Sequence, residues 1–166
     1  MSRPLKLTPT ETVTIRTSTP EVLEVEATYG PAAKPPPKHF HPDQDERFEV
    51  VDGELQVRHG DAEVTLTPGE TIEIPRGTVH QMWSPKRGTR VRWETRPRGR
   101  THEWFEAIDS LHAEGRVGSN GMPGPLAFAA LLTEFDDVFR LAVGPDRLVR
   151  GALKPLGALG RIRGYR

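Results

Sequence analysis

The chain has 166 residues, one domain's length, with 23 Lys and Arg balancing 23 Asp and Glu, six His and no Cys. The lack of thiols excludes a disulfide framework, a thiolate metal site and a Cys nucleophile, so any metal must be held by His, Asp or Glu. The longest apolar run, residues 126–132, is far short of the ~18 residues a spanning helix needs, and the first thirty residues carry charge without a continuous apolar stretch, so no membrane association and a cytoplasmic location are expected.

Neutrality hides an asymmetry. Residues 1–85 hold 8 basic and 14 acidic side chains, and residues 86–166 hold 15 and 9. Such a split suits a self-complementary surface in an oligomer or a basic patch for an acidic partner, and solvated faces of unequal composition produce it equally well.

Along the chain, Leu23, Val25, Ala27 and Tyr29 alternate with Glu24, Glu26 and Thr28, the pattern of a half-buried strand. Pro35-Pro36-Pro37 cannot donate to a ladder and delivers the chain along an edge or loop to a strand beginning near Lys38. Residues 46–51 alternate again, and Asp52-Gly53 predicts a two-residue hairpin into Leu55 and Val57. Turns at His59-Gly60-Asp61, Pro68-Gly69 and Pro75-Arg76-Gly77 separate strands at 64–66, 72–74 and 78–84, and a further strand runs over 90–95. Seven or eight strands within about 75 residues predict an antiparallel sandwich or barrel.

Past Pro97 the period changes. Trp104, Phe105, Ile108, Leu111 and His112 recur at helical spacing behind Thr101 as N-cap, with Gly115 as the stop. Phe128, Leu131, Leu132, Phe135, Val138 and Phe139 trace a second helix running to Gly144-Pro145. Its apolar stripe must bury against the strands or a second subunit, and a homodimer in which the tail takes part is expected; alternatively Trp104 and Phe105 help close the mouth of the β-structure. Residues 147–166 carry six Lys and Arg and no acid, but Pro155 and internal glycines leave them unassigned as a helix. The organisation read from this is a β domain over 1–100, N-terminal strands included, with a helical extension over 101–166.

The chemistry concentrates in Lys38-His-Phe-His-Pro-Asp-Gln-Asp-Glu46. On a strand His39 and His41 share a face while Phe40 takes the other. Glu46 opens the next strand, and His80 follows the Pro75-Arg76-Gly77 turn. Three imidazoles and one carboxylate suit a divalent transition metal with positions left for water or substrate. The spacing resembles the two cupin motifs. H-x-H-x(3,4)-E-x(6)-G is met by His39, His41, Glu46 and Gly53, and G-x(5)-P-x-G-x(2)-H-x(3)-N by Gly69, Pro75, Gly77 and His80, with Ser84 at the last position. The departures are that Ser84 and Gly30, nine residues ahead of His39 where six is usual.

The resemblance covers about residues 20–97 and implies an all-β core, an antiparallel jelly-roll β-barrel, carrying the C-terminal α-helical extension. It makes His39, His41, Glu46 and His80 the expected metal ligands, facing into the barrel, with the motif glycines and Pro75 as turn-makers. Asp43 and Asp45 are rival carboxylates, but Asp45 puts Gly53 out of register. His59, His102 and His112 lie outside the motifs and are expected to be solvated. The ligand set does not choose among Fe, Mn, Ni, Co, Cu and Zn. An inward His80 brings Met82 and Ser84 with it, and an inward Glu46 brings Phe48 and Val50; Phe48, Met82 and Trp93 are expected either to line a substrate cavity or to be core.

The functional expectation is a metal-dependent enzyme, dioxygenase-like, acting on a small organic substrate, with Glu46 doubling as a base if it leaves the metal. The alternatives are a non-redox isomerase, lyase or decarboxylase, and a non-catalytic small-ligand binder. Residues 86–100 hold seven Lys and Arg against Glu94 alone, but nothing resembling a helix-turn-helix precedes the strands, and a charged strand pair is expected there, with no nucleic-acid partner.

Overall fold

A computed structural model describes residues 3–31, 35–84, 88–118 and 121–165. Lys86 and Arg87 of the basic run, and Ser119-Asn120 of the inter-helix loop, lie outside the described residues. The strands form two antiparallel sheets. The first has the order β1 (Leu5–Thr8), β2 (Glu11–Ser18), β3 (Leu23–Tyr29), β10 (Thr89–Arg96), β5 (Asp45–Asp52), β8 (Thr71–Ile74). The second has the order β11 (Arg140–Leu141), β4 (His39–Phe40), β9 (His80–Trp83), β6 (Leu55–His59), β7 (Ala62–Leu66). Val13, Val25, Phe48, Val50 and Val91 of the first sheet and Leu55 and Val57 of the second are buried in one cluster, which is where alternation places them. Each such side chain contributes roughly 1.5–3 kcal/mol.

The alternating stretches of residues 23–96 become β3 to β10. Among the described residues the two sheets form a sandwich, and no strand is hydrogen-bonded into both, so the closed barrel is realised only as two facing sheets. The Asp52-Gly53 hairpin is corrected. β5 pairs with β10 and β8, whereas β6 pairs with β7 and β9, so the turn carries the chain from one sheet to the other. Only Gly53 has positive φ (84°), so the primed two-residue turn does not form. A Cβ there would also lie 2.5 Å from the Gly88 carbonyl oxygen, so this crossing requires glycine twice over.

α1 (Thr101–Ala113) ends at Gly115, φ 66°. Thr101 is its first helical residue and not its cap; its Oγ1 instead accepts a 2.7 Å bond from the buried Gln44 amide. Asp109 accepts the Lys6 backbone N–H at 2.8 Å and pairs with Arg3, fastening α1 to β1. α2 (Pro125–Glu134) stops well short of Gly144, against expectation. Two carboxylates at Asp136-Asp137 oppose the dipole at a helix C-terminus and pair instead with Arg150 and Arg100, while Val138 and Phe135 turn into the core. α3 (Asp146–Ile162) is a helix despite Pro155. It packs closely on α2 because Gly160 has no side chain: a Cβ there would meet the Leu126 carbonyl oxygen at 2.5 Å. Among the described residues no helix is long and apolar enough to cross a membrane.

Candidate metal centre

β4 and β9 lie side by side with His39 opposite His80 in register, and His41 follows β4 directly. One ring nitrogen from each of His39, His41 and His80 falls within 4.8 Å of the other two. The second nitrogens are engaged. Nδ1 of His39 donates to the Pro37 carbonyl at 3.0 Å, Nδ1 of His41 to Val138 at 2.6 Å, and Nδ1 of His80 to Thr78 at 2.9 Å. A carbonyl can only accept, so each Nδ1 carries the hydrogen and each Nε2 keeps a lone pair, the arrangement that metal-ligating histidines use.

Glu46, at the start of β5, reaches the cluster from the opposite sheet. Its Oε1 lies 3.3 Å from His41 Nε2 and accepts the Trp93 indole N–H at 3.1 Å; its Oε2 lies 3.2 Å from His80 Nε2. It touches two of the three imidazoles and lies outside the trio of mutually close nitrogens. Oε2 and His80 Nε2 are both buried, 3.2 Å apart, and neither has a hydrogen-bond partner beyond the other. With no hydrogen between them a lone pair and a carboxylate oxygen would face each other at a cost, which either a proton on His80 or a cation removes. The donor set therefore fits a divalent transition metal.

The electrostatics agree. Burial, reinforced by His80 and His41, holds His39 well below the usual imidazole range, and burial also lowers His41 despite Glu46. Both rings are neutral and available as ligands near pH 7. Burial pushes Glu46 up, but His41, His80 and the Trp93 N–H outweigh it and hold the carboxyl below its ordinary value. Burial pushes His80 down, and Glu46 outweighs that in turn, raising it. A proton on His80 and a metal ion compete for one place.

The other residues singled out in the sequence separate cleanly. Phe48 is fully buried and stacks on Trp93 at 5.4 Å, with Met82 in the same core, so of these three it is Trp93 whose polar atom reaches the site. Gln81, on the opposite side of β9 from His80, is also buried, donating to the Pro36 carbonyl at 2.6 Å. Asp45 faces away and pairs with Arg76 at 2.6 Å. His59, His102 and His112 are outside the cluster, the last two bonded to Ser18 and to the Leu7 carbonyl. In the basic run Arg92 pairs across strands with Glu49, Arg96 with Glu94 on its own strand, and Arg98 and Arg100 with the helix residues Glu103 and Glu134.

Sequence reasoning missed the contribution of residues 138 and 139. Phe139 stacks on His39 (4.5 Å, 17°) and is backed by Trp104 (5.2 Å, 17°), so α1 and the segment after α2 close over the histidines. The signal for Phe139 was the Asp136-Asp137 pair interrupting the apolar stripe ahead of it; a backbone carbonyl such as that of Val138 leaves none.

Comparison with known proteins agrees with this fold. Residues 25–93 match the family described as the Cupin domain. An oxidoreductase of Arthrobotrys oligospora is 43% identical over 53 residues, covering 31% of this chain and 21% of its own length. Oxidoreductase iacF of Pestalotiopsis fici is 43% identical over 49 residues, covering 29% and 24%. The chain thus spans less than a quarter of the length of these relatives. The structure of KdgF from Halomonas sp. shares the fold with a TM-score of 0.56 and 21% identity, over 61% of this chain and 93% of that one.

Proposed function

We propose that this chain, whose residues 25–93 match the Cupin domain family, is a metal-dependent enzyme, an oxidoreductase of the dioxygenase type acting on a small organic substrate. The observation that carries this reading is the buried meeting of Glu46 Oε2 and His80 Nε2, 3.2 Å apart, beside two further imidazoles whose nitrogens converge on the same place. The names of the two oxidoreductase relatives support the redox branch.

His39, His41 and His80 would hold the ion through Nε2, and Glu46 through Oε2. Bound there, a redox-active metal such as iron supplies electrons for oxygen chemistry, and a non-redox one polarises a carbonyl or carboxylate. The remaining work belongs to the protein. Trp93 holds Oε1 of Glu46, so Oε2 is the oxygen that would take a proton from substrate once it has left the ion. Phe48, Met82 and the Trp93 ring form an apolar backing that keeps water from the reacting groups.

Elemental analysis of protein purified without added metal is expected to find a stoichiometric transition metal. Anaerobic loading with Fe(II), followed by oxygen uptake over a panel of enols, catechols and thiols, is expected to show consumption that His39→Ala abolishes. Turnover with Zn(II) or Mn(II) and no oxygen would assign the site to isomerase, lyase or decarboxylase chemistry, and ligand binding without turnover to a binding role. We also assign the exposed apolar side chains of α3, Leu148, Leu156, Leu159 and Ile162, to a homodimer contact. Light scattering should give twice 18.5 kDa, and Ile162→Ser, on the open face, should give a monomer.

A further inference from the structure

Two of the three imidazoles at the candidate centre are oriented by their own strands. His39 and His80 each donate from Nδ1 to a carbonyl two residues earlier, Pro37 and Thr78. His41 is different: its acceptor, the Val138 carbonyl, comes from 97 residues downstream, in the C-terminal extension, and the bond is the shortest of the three and buried. Without that acceptor the ring hydrogen has a second place to go, because Glu46 Oε1 lies 3.3 Å from His41 Nε2. A hydrogen on Nε2 would turn His41 into a donor to Glu46 and remove it from the ligand set.

The segment is held in place by backbone. Val138 and Phe139 donate to the Phe135 carbonyl at 2.9 and 3.0 Å, forming the turn that presents the Val138 oxygen. β11 then pairs antiparallel with β4, Leu141 opposite His39, and the Ala142 N–H donates to the Lys38 carbonyl at 2.9 Å. Arg100 anchors the turn's base through Glu134 and lies over the Phe135 ring at 4.5 Å. Between these anchors Phe139 sits in a three-ring stack, His39–Phe139–Trp104, both contacts tilted by only 17°. His39, only half-buried, takes its ring plane from this stack.

We propose that residues 135–142 are a positioning element of the metal centre: Val138 fixes which nitrogen of His41 faces the ion, Phe139 fixes the plane of His39, and ion binding and docking of the segment therefore stabilise each other. The inference rests on the metal-binding reading above. Coupling of this kind is reciprocal, so it is read from either side.

The test uses the full chain and Co(II) alone. Wild-type protein is expected to bind Co(II) with a visible ligand-field spectrum, and the ion is expected to slow hydrogen exchange in the peptide spanning 135–143. Phe139→Ala should weaken Co(II) binding 10–100-fold, the usual cost of losing an outer partner of a ligand, and alter the spectrum, while Phe139→Tyr restores both. Ala142→Pro, which removes the N–H that bonds Lys38 and stiffens the backbone there, should weaken binding in the same direction with the strands intact by circular dichroism. Unchanged affinity and spectrum in both Phe139→Ala and Ala142→Pro, or exchange over 135–143 indifferent to the ion, overturns the inference and leaves the metal reading standing. Failure of the wild-type chain to take up Co(II) at all overturns the metal reading and the inference with it.

Discussion

The sandwich holds a buried carboxyl, Glu46, at one end of the six-stranded sheet and a half-buried one, Glu11, at the other, and the two are treated oppositely. Glu46 lies opposite Thr95, which pairs with Leu23 at the start of β3; Glu11 lies opposite Tyr29 at the end of β3. Glu46 meets two imidazoles and an indole N–H and stays below its ordinary range. At Glu11 the Tyr29 hydroxyl lowers the carboxyl, but burial outweighs it and pushes it up to about 7. Desolvation alone drives a carboxyl towards its neutral form, and it takes several polar partners to keep it charged. The end that can receive a cation is therefore the one where strands from both sheets deliver nitrogen donors to the same carboxylate.

The sharpest way to break this contrast is to remove the partner of the charged carboxyl. His80→Ala leaves Glu46 buried with one imidazole fewer, and should destabilise the metal-free protein by about 3 kcal/mol and abolish measurable Co(II) binding. Urea unfolding and titration check it; a loss below about 1 kcal/mol would show that Glu46 does not depend on the histidines. Next comes Glu46→Gln. The amide keeps the shape and can still accept from Trp93, so the fold should persist while metal affinity falls 10–100-fold. Isothermal titration in parallel with melting separates the two effects.

Much of the site was legible because its parts are local. His39, His41 and Glu46 fall within eight residues, and strand alternation alone aims the two histidines together; Gly53, Gly69 and Gly77, all at positive φ, mark the turns that bring His80 back beside His39. What escaped is what depends on distant partners. The apolar spacing through Phe139 reads as a continuing helix, since a side chain pulled into the core from a turn obeys the same count as one on a helix face. α3 escaped because its glycines look like breakers until α2 is seen to pack against Gly157 and Gly160. Glu11 went unread, because β2 offers only Val13 and Ile15 as an alternating pair and its place beside Tyr29 comes from pairing with β3.

That unread carboxyl supplies the third prediction. A folded-state value of about 7 against 4.5 unfolded means that the native protein holds the Glu11 proton more tightly, so stability falls as pH rises from about 4.5 to about 7 and levels off above. Glu11 keeps part of its surface in contact with solvent, which screens the cost. Glu11→Gln should therefore match the wild type at pH 4 and exceed it by about 1–2 kcal/mol at pH 8, with the slope between them removed. Parallel unfolding profiles for the two proteins across that range would sink the assignment.

The smallest effect is expected at Tyr29. Its hydroxyl donates to Glu11 and partly offsets the burial, so Tyr29→Phe should push Glu11 still higher and cost about 1 kcal/mol at pH 8, where the carboxylate has lost its donor, and less at pH 5, where the carboxyl is protonated. The same change at Glu46 would be masked, because Trp93, His41 and His80 share the load there. In a Glu11→Gln background the Tyr29→Phe cost should lose its pH dependence, since no charge remains for the hydroxyl to stabilise. A cost that stays pH-dependent in the double variant would mean that Tyr29 answers to another group, with Glu46, whose charge also raises the phenol, the first to examine.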